Sequence, residues 1–169
     1  MGKKEMLYID KHGIVIEIRK IQQCDEPRLR KFYLGLSDET LRTYYQGSMR
    51  REFIVSNSKI HEECNRDEKD LSLVALYNED IVGFGVLLRL RTKEKRYEIA
   101  FLVSEKFQRN NIGSKLMNLL IENARETKNK STIVAYTSAI NYPVHSFLKK
   151  YGFFKEQTDF DQIVWTLEI

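Results

Sequence analysis

A chain of 169 residues, 42% hydrophobic and 11% aromatic, suffices for a sizeable core, and a single domain over residues 1–169 is expected. With 28 basic against 24 acidic residues the net charge is only +4, and the basic side chains are interspersed with acids, which argues against a nucleic-acid stripe. Cys24 and Cys64 lack zinc-site spacing even with His61 nearby, and neither a membrane-spanning run nor a signal-type core after Met1–Glu5 is present, so no metal, free thiols and a cytoplasmic protein are expected.

In chain order, Gly13 to Lys20 sets Ile14, Ile16 and Ile18 against Val15, Glu17 and Arg19, the alternation of a half-buried strand. Asp25-Glu26-Pro27 opens a helix with Leu29, Phe32, Tyr33 and Leu36 on one face. Ser37-Asp38-Glu39 caps a second short helix through Tyr44 and Tyr45 that Gly47 ends, and a further helix is predicted from Met49 to about Cys64. After a polar loop at residues 65–70, Leu71 to Tyr77 and Ile81 to Leu90 form a hairpin around Asn78-Glu79-Asp80. A strand over residues 96–104 follows, then a glycine-containing turn and a helix. Thr132 to Ser138 reads as a strand, and Asn141 to Tyr151 as a short helix with Val144, Phe147, Leu148 and Tyr151 inward. Phe153 to Ile169 supplies two closing strands. His61 and His145 read as surface histidines, and Trp165 as a core or groove-wall aromatic.

The most informative stretch is Gln108-Arg109-Asn110-Asn111-Ile112-Gly113-Ser114. It joins the apolar run Tyr97–Val103 to a helix whose Ile112, Leu116, Leu120 and Ala124 recur on one face. A strand, a tight turn and a helix N-terminus together present unpaired N–H groups and a positive dipole end, which suits an anion such as a cofactor phosphate.

Two motifs give this turn a family. Gln108-x-x-Asn111-x-Gly113 resembles the phosphate turn of the GCN5-related N-acetyltransferase (GNAT) superfamily, and Asn141 to Gly152-Phe153 resembles its second signature, an Asn followed by a short helix ending in Gly-Phe. The N-terminal half, with Asp25-Glu26-Pro27 and Leu36-Ser37-Asp38-Glu39, is similar to the protein lysine acetyltransferases of bacteria and archaea. The resemblance implies an α/β (α+β) fold: one GNAT-like domain whose central sheet, mixed and mostly antiparallel with six to seven strands, is flanked by helices and splayed into a cofactor cleft. It also implies acetyl-CoA as co-substrate and an amine acceptor. A protein lysine is the leading candidate acceptor and a small, polyamine-like amine the nearest rival; a non-catalytic acyl-CoA-binding regulatory module is the reading from outside the enzyme class.

Residue by residue, the resemblance places the backbone of Arg109, Asn110, Asn111, Ile112, Gly113 and Ser114 around the pyrophosphate, with Gln108 opening the turn. Phe101, Leu102 and Val103 match the strand edge that pairs with the pantetheine amides and offers an N–H to the thioester oxygen as charge develops. Asn111 stands where the family usually has Gly, and asparagine tolerates a left-handed backbone better than most residues. Asn141 matches a position that bonds the cofactor or caps its helix. Tyr44 and Tyr45 fall where early helices border the acceptor groove. A lysine with pKa about 10.4 must lose a proton before it attacks, and Glu98 matches the family's acid on this strand. Period two puts Glu98 on one face with Ala100 and Leu102, whose apolar character desolvates a base; the other role open to it is an ion pair with Arg89, Arg91 or Arg96. Leu148 occupies the position where the family often carries a proton-donating Tyr.

Overall fold

Alternating apolar and polar residues on eight strands assemble one sheet with both faces covered over most of its width. The structure, a computed structural model, describes residues 6–92, 95–126 and 130–169. In chain order its elements are β1 (Met6–Ile9), β2 (Val15–Lys20), α1 (Glu26–Gly35), α2 (Asp38–Tyr44), α3 (Arg51–Ile54), α4 (Asn57–Cys64), β3 (Leu71–Tyr77), β4 (Asp80–Arg89), β5 (Arg96–Val103), α5 (Ile112–Glu126), β6 (Thr132–Ser138), α6 (Tyr142–Lys150), β7 (Phe154–Asp159) and β8 (Gln162–Glu168). Short 3-10 turns lie at Gln23–Asp25 and Glu105–Phe107. The strand order is β1-β2-β3-β4-β5-β6-β8-β7, antiparallel throughout except for β5 beside β6. This is the mixed, mostly antiparallel α/β sheet that the resemblance implies, with eight strands instead of six or seven. The additional strand, β1, has four residues, of which Leu7 and Ile9 are exposed, so its alternation is too short to stand out in sequence.

One feature of the sheet creates the site. β5 and β6 pair for three residues, Arg96↔Thr132 to Glu98↔Val134, and then diverge. Each diverging strand keeps a full ladder on its other side, β5 with β4 from Tyr97↔Arg89 to Val103↔Gly83, and β6 with β8 from Thr132↔Glu168 to Ser138↔Gln162. The splay therefore leaves the inner edge of residues 99–103 open at no cost to the outer ladders.

Two apolar cores hold the faces. On one, α5 buries Ile112, Leu116, Met117, Leu120 and Ala124 against Tyr97, Ile99, Ile133 and Ala135. On the other, α1, α2 and α4 bury Leu29, Phe32, Tyr33, Leu41 and Ile60 against Phe84, Val86 and Leu102. α5 can lie close to β4 because Gly83 has no side chain: a Cβ there would stand 2.9 Å from Ile112 Cγ2.

Local signals explain most helix boundaries. Pro27 sits within the first turn of α1 and Ser37 caps α2, its hydroxyl accepting from Thr40 N–H at 3.1 Å. Just before α1, the fully buried Asp25 accepts Arg19 through two bonds of 2.7 and 2.9 Å and the Gln22 N–H at 2.8 Å. Burial alone would raise this carboxyl's pKa, but the Arg19 and Gln22 bonds take it below its ordinary value. The single helix predicted from Met49 to Cys64 is a correction: α3 and α4 are separate, because Ser56 takes an extended conformation and caps Lys59 N–H at 3.3 Å. A second correction concerns His145, which is 8% exposed. It packs between Tyr142 and Trp165, with Nε2 2.9 Å from the Ser138 carbonyl, on an inward face of α6 that is wider than its apolar residues suggest. Cys24 and Cys64 are both free thiols.

Candidate active site

The wedge between β5 and β6 opens into a cleft of about 660 Å³. Ile99 to Val103 form one wall, Ala135 to Thr137 of β6 the other, and Val144, Phe147 and Leu148 of α6 the floor. At one end lies the turn before α5. There Arg109 and Asn111 both have φ of 62°, left-handed values that a β-branched residue resists and asparagine accepts. Gly113 is not left-handed; what it supplies is space, since a Cβ would come 3.2 Å from the Phe101 ring. Among the described residues the N–H groups of Arg109 and of Asn111 to Ser114 have no partner, and the first helical N–H to return is that of Lys115, to Asn111 O at 3.0 Å. Those donors and the N-terminus of a 15-residue helix form an anion cradle.

Neighbouring elements brace the cradle. Gln108 Nε2 donates to Val103 O at 3.2 Å, and Tyr151 Oη to Ser114 O at 3.2 Å, tying the turn to β5 and to α6. Tyr8 of β1 reaches Asn110 O at 3.4 Å while its ring underlies Lys115 Nζ at 5.6 Å, so this lysine is engaged with β1. Of the residues singled out in sequence, Tyr44, Phe101, Leu102, Val103, Gln108, Arg109, Asn111, Ile112, Gly113, Ser114 and Asn141 line the cleft. Asn110, Tyr45 and Glu98 do not: Asn110 is buried beneath the turn, and Tyr45 bonds Tyr33 Oη at 3.1 Å behind Tyr44. Asn141 stands at the N-cap of α6 without capping it by its side chain, so its amide is left to the cleft.

Glu98 lies where the β5–β6 ladder ends, on the face of Ala100 and Leu102 that meets the tyrosines of α2. It is half-buried, and burial raises its pKa above the usual carboxylate value while the positive charge of Arg66 partly opposes this. Arg96 turns instead to Glu156 at 3.3 Å, and among the described residues neither it, Arg89 nor Arg91 pairs with Glu98. Leu148 is buried in the floor of the cleft. Sequence reasoning missed Glu39, Thr40, Thr43 and Tyr136, which extend the cleft on the α2 side, and the buried Thr137, whose hydroxyl accepts from Trp165 Nε1 at 3.0 Å. Tyr136 carried a signal in being a polar aromatic on a strand otherwise apolar or small, while the α2 residues reach the cleft only through the tertiary fold. Among the described residues, no group of three or more His, Cys, Asp or Glu could hold a metal ion, and no helix is long and apolar enough to cross a membrane.

Parallel strands that part beside a turn of free N–H groups define a class of domain that holds an extended, phosphate-bearing co-substrate between strands. The chain belongs to the acetyltransferase (GNAT) family, whose sequence profile matches residues 32–153. It is a GNAT acetyltransferase, and acetyl-CoA is its co-substrate. Solved structures similar to it include the GNAT domain of S. lividans PAT, at TM-score 0.87 and 19% identity, covering 98% of this chain and 97% of that one. The PaiA N-acetyltransferase of Thermoplasma acidophilum, in complex with coenzyme A, aligns at TM-score 0.73 and 20% identity over 91% of this chain and 99% of that one. The ribosomal-protein-S5-alanine acetyltransferase of Vibrio fischeri aligns at TM-score 0.75 and 13% identity over 96% of each. No curated protein matches the chain in sequence.

Proposed function

We propose that this acetyltransferase acts on a protein lysine ε-amine in the cytoplasm, with Glu98 as general base. The observation that carries the acceptor is the open α2 side of the cleft: Glu39 and Tyr136 are exposed there, so an amine borne on a large partner can enter beside Tyr44. The sequence likeness to protein lysine acetyltransferases and the overall likeness to the S. lividans PAT domain support the same reading.

Acetyl-CoA supplies an activated thioester. The cradle fits its phosphates, because the left-handed Arg109 and Asn111 turn successive N–H groups inward and the space at Gly113 lets a ligand approach the backbone. The open edge of Phe101, Leu102 and Val103 offers backbone groups for its amides, and the Asn141 side chain faces the same space. Glu98 receives the ammonium proton of the incoming lysine. Since Glu98 stands just behind the lining, the proton reaches it through intervening solvent. The neutral amine then attacks the thioester carbonyl. As the tetrahedral intermediate collapses, the C–S bond breaks and coenzyme A leaves as the thiolate, whose thiol has a pKa of about 8.5, so the lack of a proton donor at Leu148 does not block the step.

Glu98→Gln keeps the shape and removes the base. We expect it to bind acetyl-CoA as the parent does in calorimetric titration and to lose at least about tenfold in turnover. Equal turnover would refute the base assignment. A parent protein that binds acetyl-CoA and acetylates no amine would instead point to a regulatory acyl-CoA-binding module.

A further inference from the structure

The 3-10 turn Glu105–Phe107 connects β5 to the phosphate turn, and one of its side chains crosses to α2. Glu105 Oε1 accepts the Ser37 N–H at 3.0 Å and the Thr40 hydroxyl at 2.6 Å. Ser37 and Thr40 are themselves joined, hydroxyl to hydroxyl at 3.0 Å and Thr40 N–H to Ser37 Oγ at 3.1 Å, so one carboxylate oxygen grips the first turn of the helix. Among the described residues, both hydrogen bonds that join α2 and its cap to the segment after β5 end on this oxygen.

The turn that carries Glu105 is tied in turn to the cofactor side. The Gln108 N–H donates to Glu105 O at 3.4 Å, and Gln108 Nε2 reaches back to Val103 O at 3.2 Å, closing residues 103–108 into one unit. The next residue, Arg109, begins the left-handed turn of the cradle. On its own side α2 lines the cleft with Glu39, Thr40, Thr43 and Tyr44, whereas Glu105 lies outside the lining. Any effect of Glu105 on the acceptor therefore passes through α2. The helix has another polar anchor, Asp38 on Arg51 at 2.6 Å, but that guanidinium also donates to Tyr33 O at 3.0 Å and Leu36 O at 2.7 Å. Arg51 thus fixes α2 to α1, and Glu105 fixes it to the cofactor turn.

We propose that Glu105 is a positioning residue for the acceptor: it ties the α2 side of the cleft to the unit that opens the phosphate turn, so that acetyl-CoA seated in the turn stiffens the acceptor's side. Acceptor and co-substrate then support each other's binding, because coupling between two sites is reciprocal. The proposal rests on entry of the acceptor beside Tyr44, and neither on lysine being that acceptor nor on Glu98 being the base.

The probe is adenosine 3′-phosphate 5′-diphosphate, the nucleotide half of coenzyme A, which carries the pyrophosphate and lacks the pantetheine arm that would pass α2. Amide hydrogen exchange is measured with and without saturating nucleotide at Leu41 and Tyr45, whose N–H groups bond Ser37 O and Leu41 O. In the parent, nucleotide should slow both amides about fivefold, the lower end of usual coupling between sites. In Glu105→Ala the two amides should exchange alike with and without nucleotide, while the N–H groups of residues 111–114 stay protected by it. A merely structural contact would instead speed α2 exchange equally in both states and leave the ratio at its parental value. Glu105→Gln keeps Oε1 as an acceptor and should retain most of the response. Should Glu105→Ala fail to fold, Thr40→Val deletes the shorter bond and should give a smaller response than the parent. A parental ratio in folded Glu105→Ala or Thr40→Val, or no slowing of Leu41 and Tyr45 in the parent, overturns the role of Glu105 and leaves acceptor and base as proposed. Nucleotide that fails to protect residues 111–114 in the parent overturns the cradle and this role with it.

Discussion

At the scale of single residues, the turn before α5 depends on what two positions avoid. Asn111 avoids a clash at φ of 62° and Gly113 avoids the Phe101 ring. Asn111→Val puts a β-branched residue at a left-handed position, at a cost of about 1–2 kcal/mol. Acetyl-CoA binding, measured by titration calorimetry, should weaken about tenfold if the turn yields, while Asn111→Gly should bind at least as well as the parent. Equal binding by all three would show that the turn conformation does not set affinity. The turn itself was legible in sequence, because a strand, Gln108, Gly113 and a helical period stand in order. The division of labour within it was legible in part: the left-handed backbone accepted at Asn111 is present, whereas Arg109, which shares it, is not of a residue type that signals it. The face that Glu98 shares with Ala100 and Leu102 was legible through period two, whereas the neighbouring charge of Arg66 was not, since it arrives from a loop before two intervening strands.

Among the elements, short-range signals located most boundaries and long-range contacts decided the rest. Helix α2 is capped by Ser37, yet its first turn is also held by Glu105, from the 3-10 turn after β5, which accepts Thr40 Oγ1 at 2.6 Å and the Ser37 N–H at 3.0 Å. Burial would raise the Glu105 pKa, but these bonds win and lower it to about 2. The folded value lies below the unfolded one, so the stabilisation is complete above about pH 4.3 and is lost as pH falls through about 2. Chemical denaturation against pH should therefore find Glu105→Gln less stable than the parent at neutral pH, with the gap narrowing in that acid window. A gap independent of pH would contradict the assignment. The same limit of local reading explains the break between α3 and α4: the apolar residues continue across Val55 and Ser56, and only the Ser56 cap, with Arg30 bonding the freed Val55 carbonyl, splits the helix. β1 escaped notice because its main work, Tyr8 against Asn110 and Lys115, is a contact across the whole chain.

For the whole molecule, the sheet's splay and the seating of α5 are one construction. β4 holds β5 while β6 departs, and Gly83 on β4 lets Ile112 seat the N-terminus of α5 at the mouth of the wedge. Gly83→Ala forces Ile112 outward and should cost about 1–3 kcal/mol in thermal unfolding, together with weaker acetyl-CoA binding. Loss of stability with unchanged binding would uncouple the helix seat from the cofactor turn. Motifs and periodicity sufficed for the fold class and for the turn before α5; the other side of the cleft, built by α2 and β6, exists only once those elements meet. The central claim, acetyl transfer to protein lysines through Glu98, is tested most directly by incubating the protein and acetyl-CoA with lysate of its source organism and mapping acetylated lysines by mass spectrometry. The account predicts new ε-acetyl-lysines on proteins, reduced at least about tenfold with Glu98→Gln. Acetylation confined to small amines, or equal protein acetylation by the variant, would contradict it.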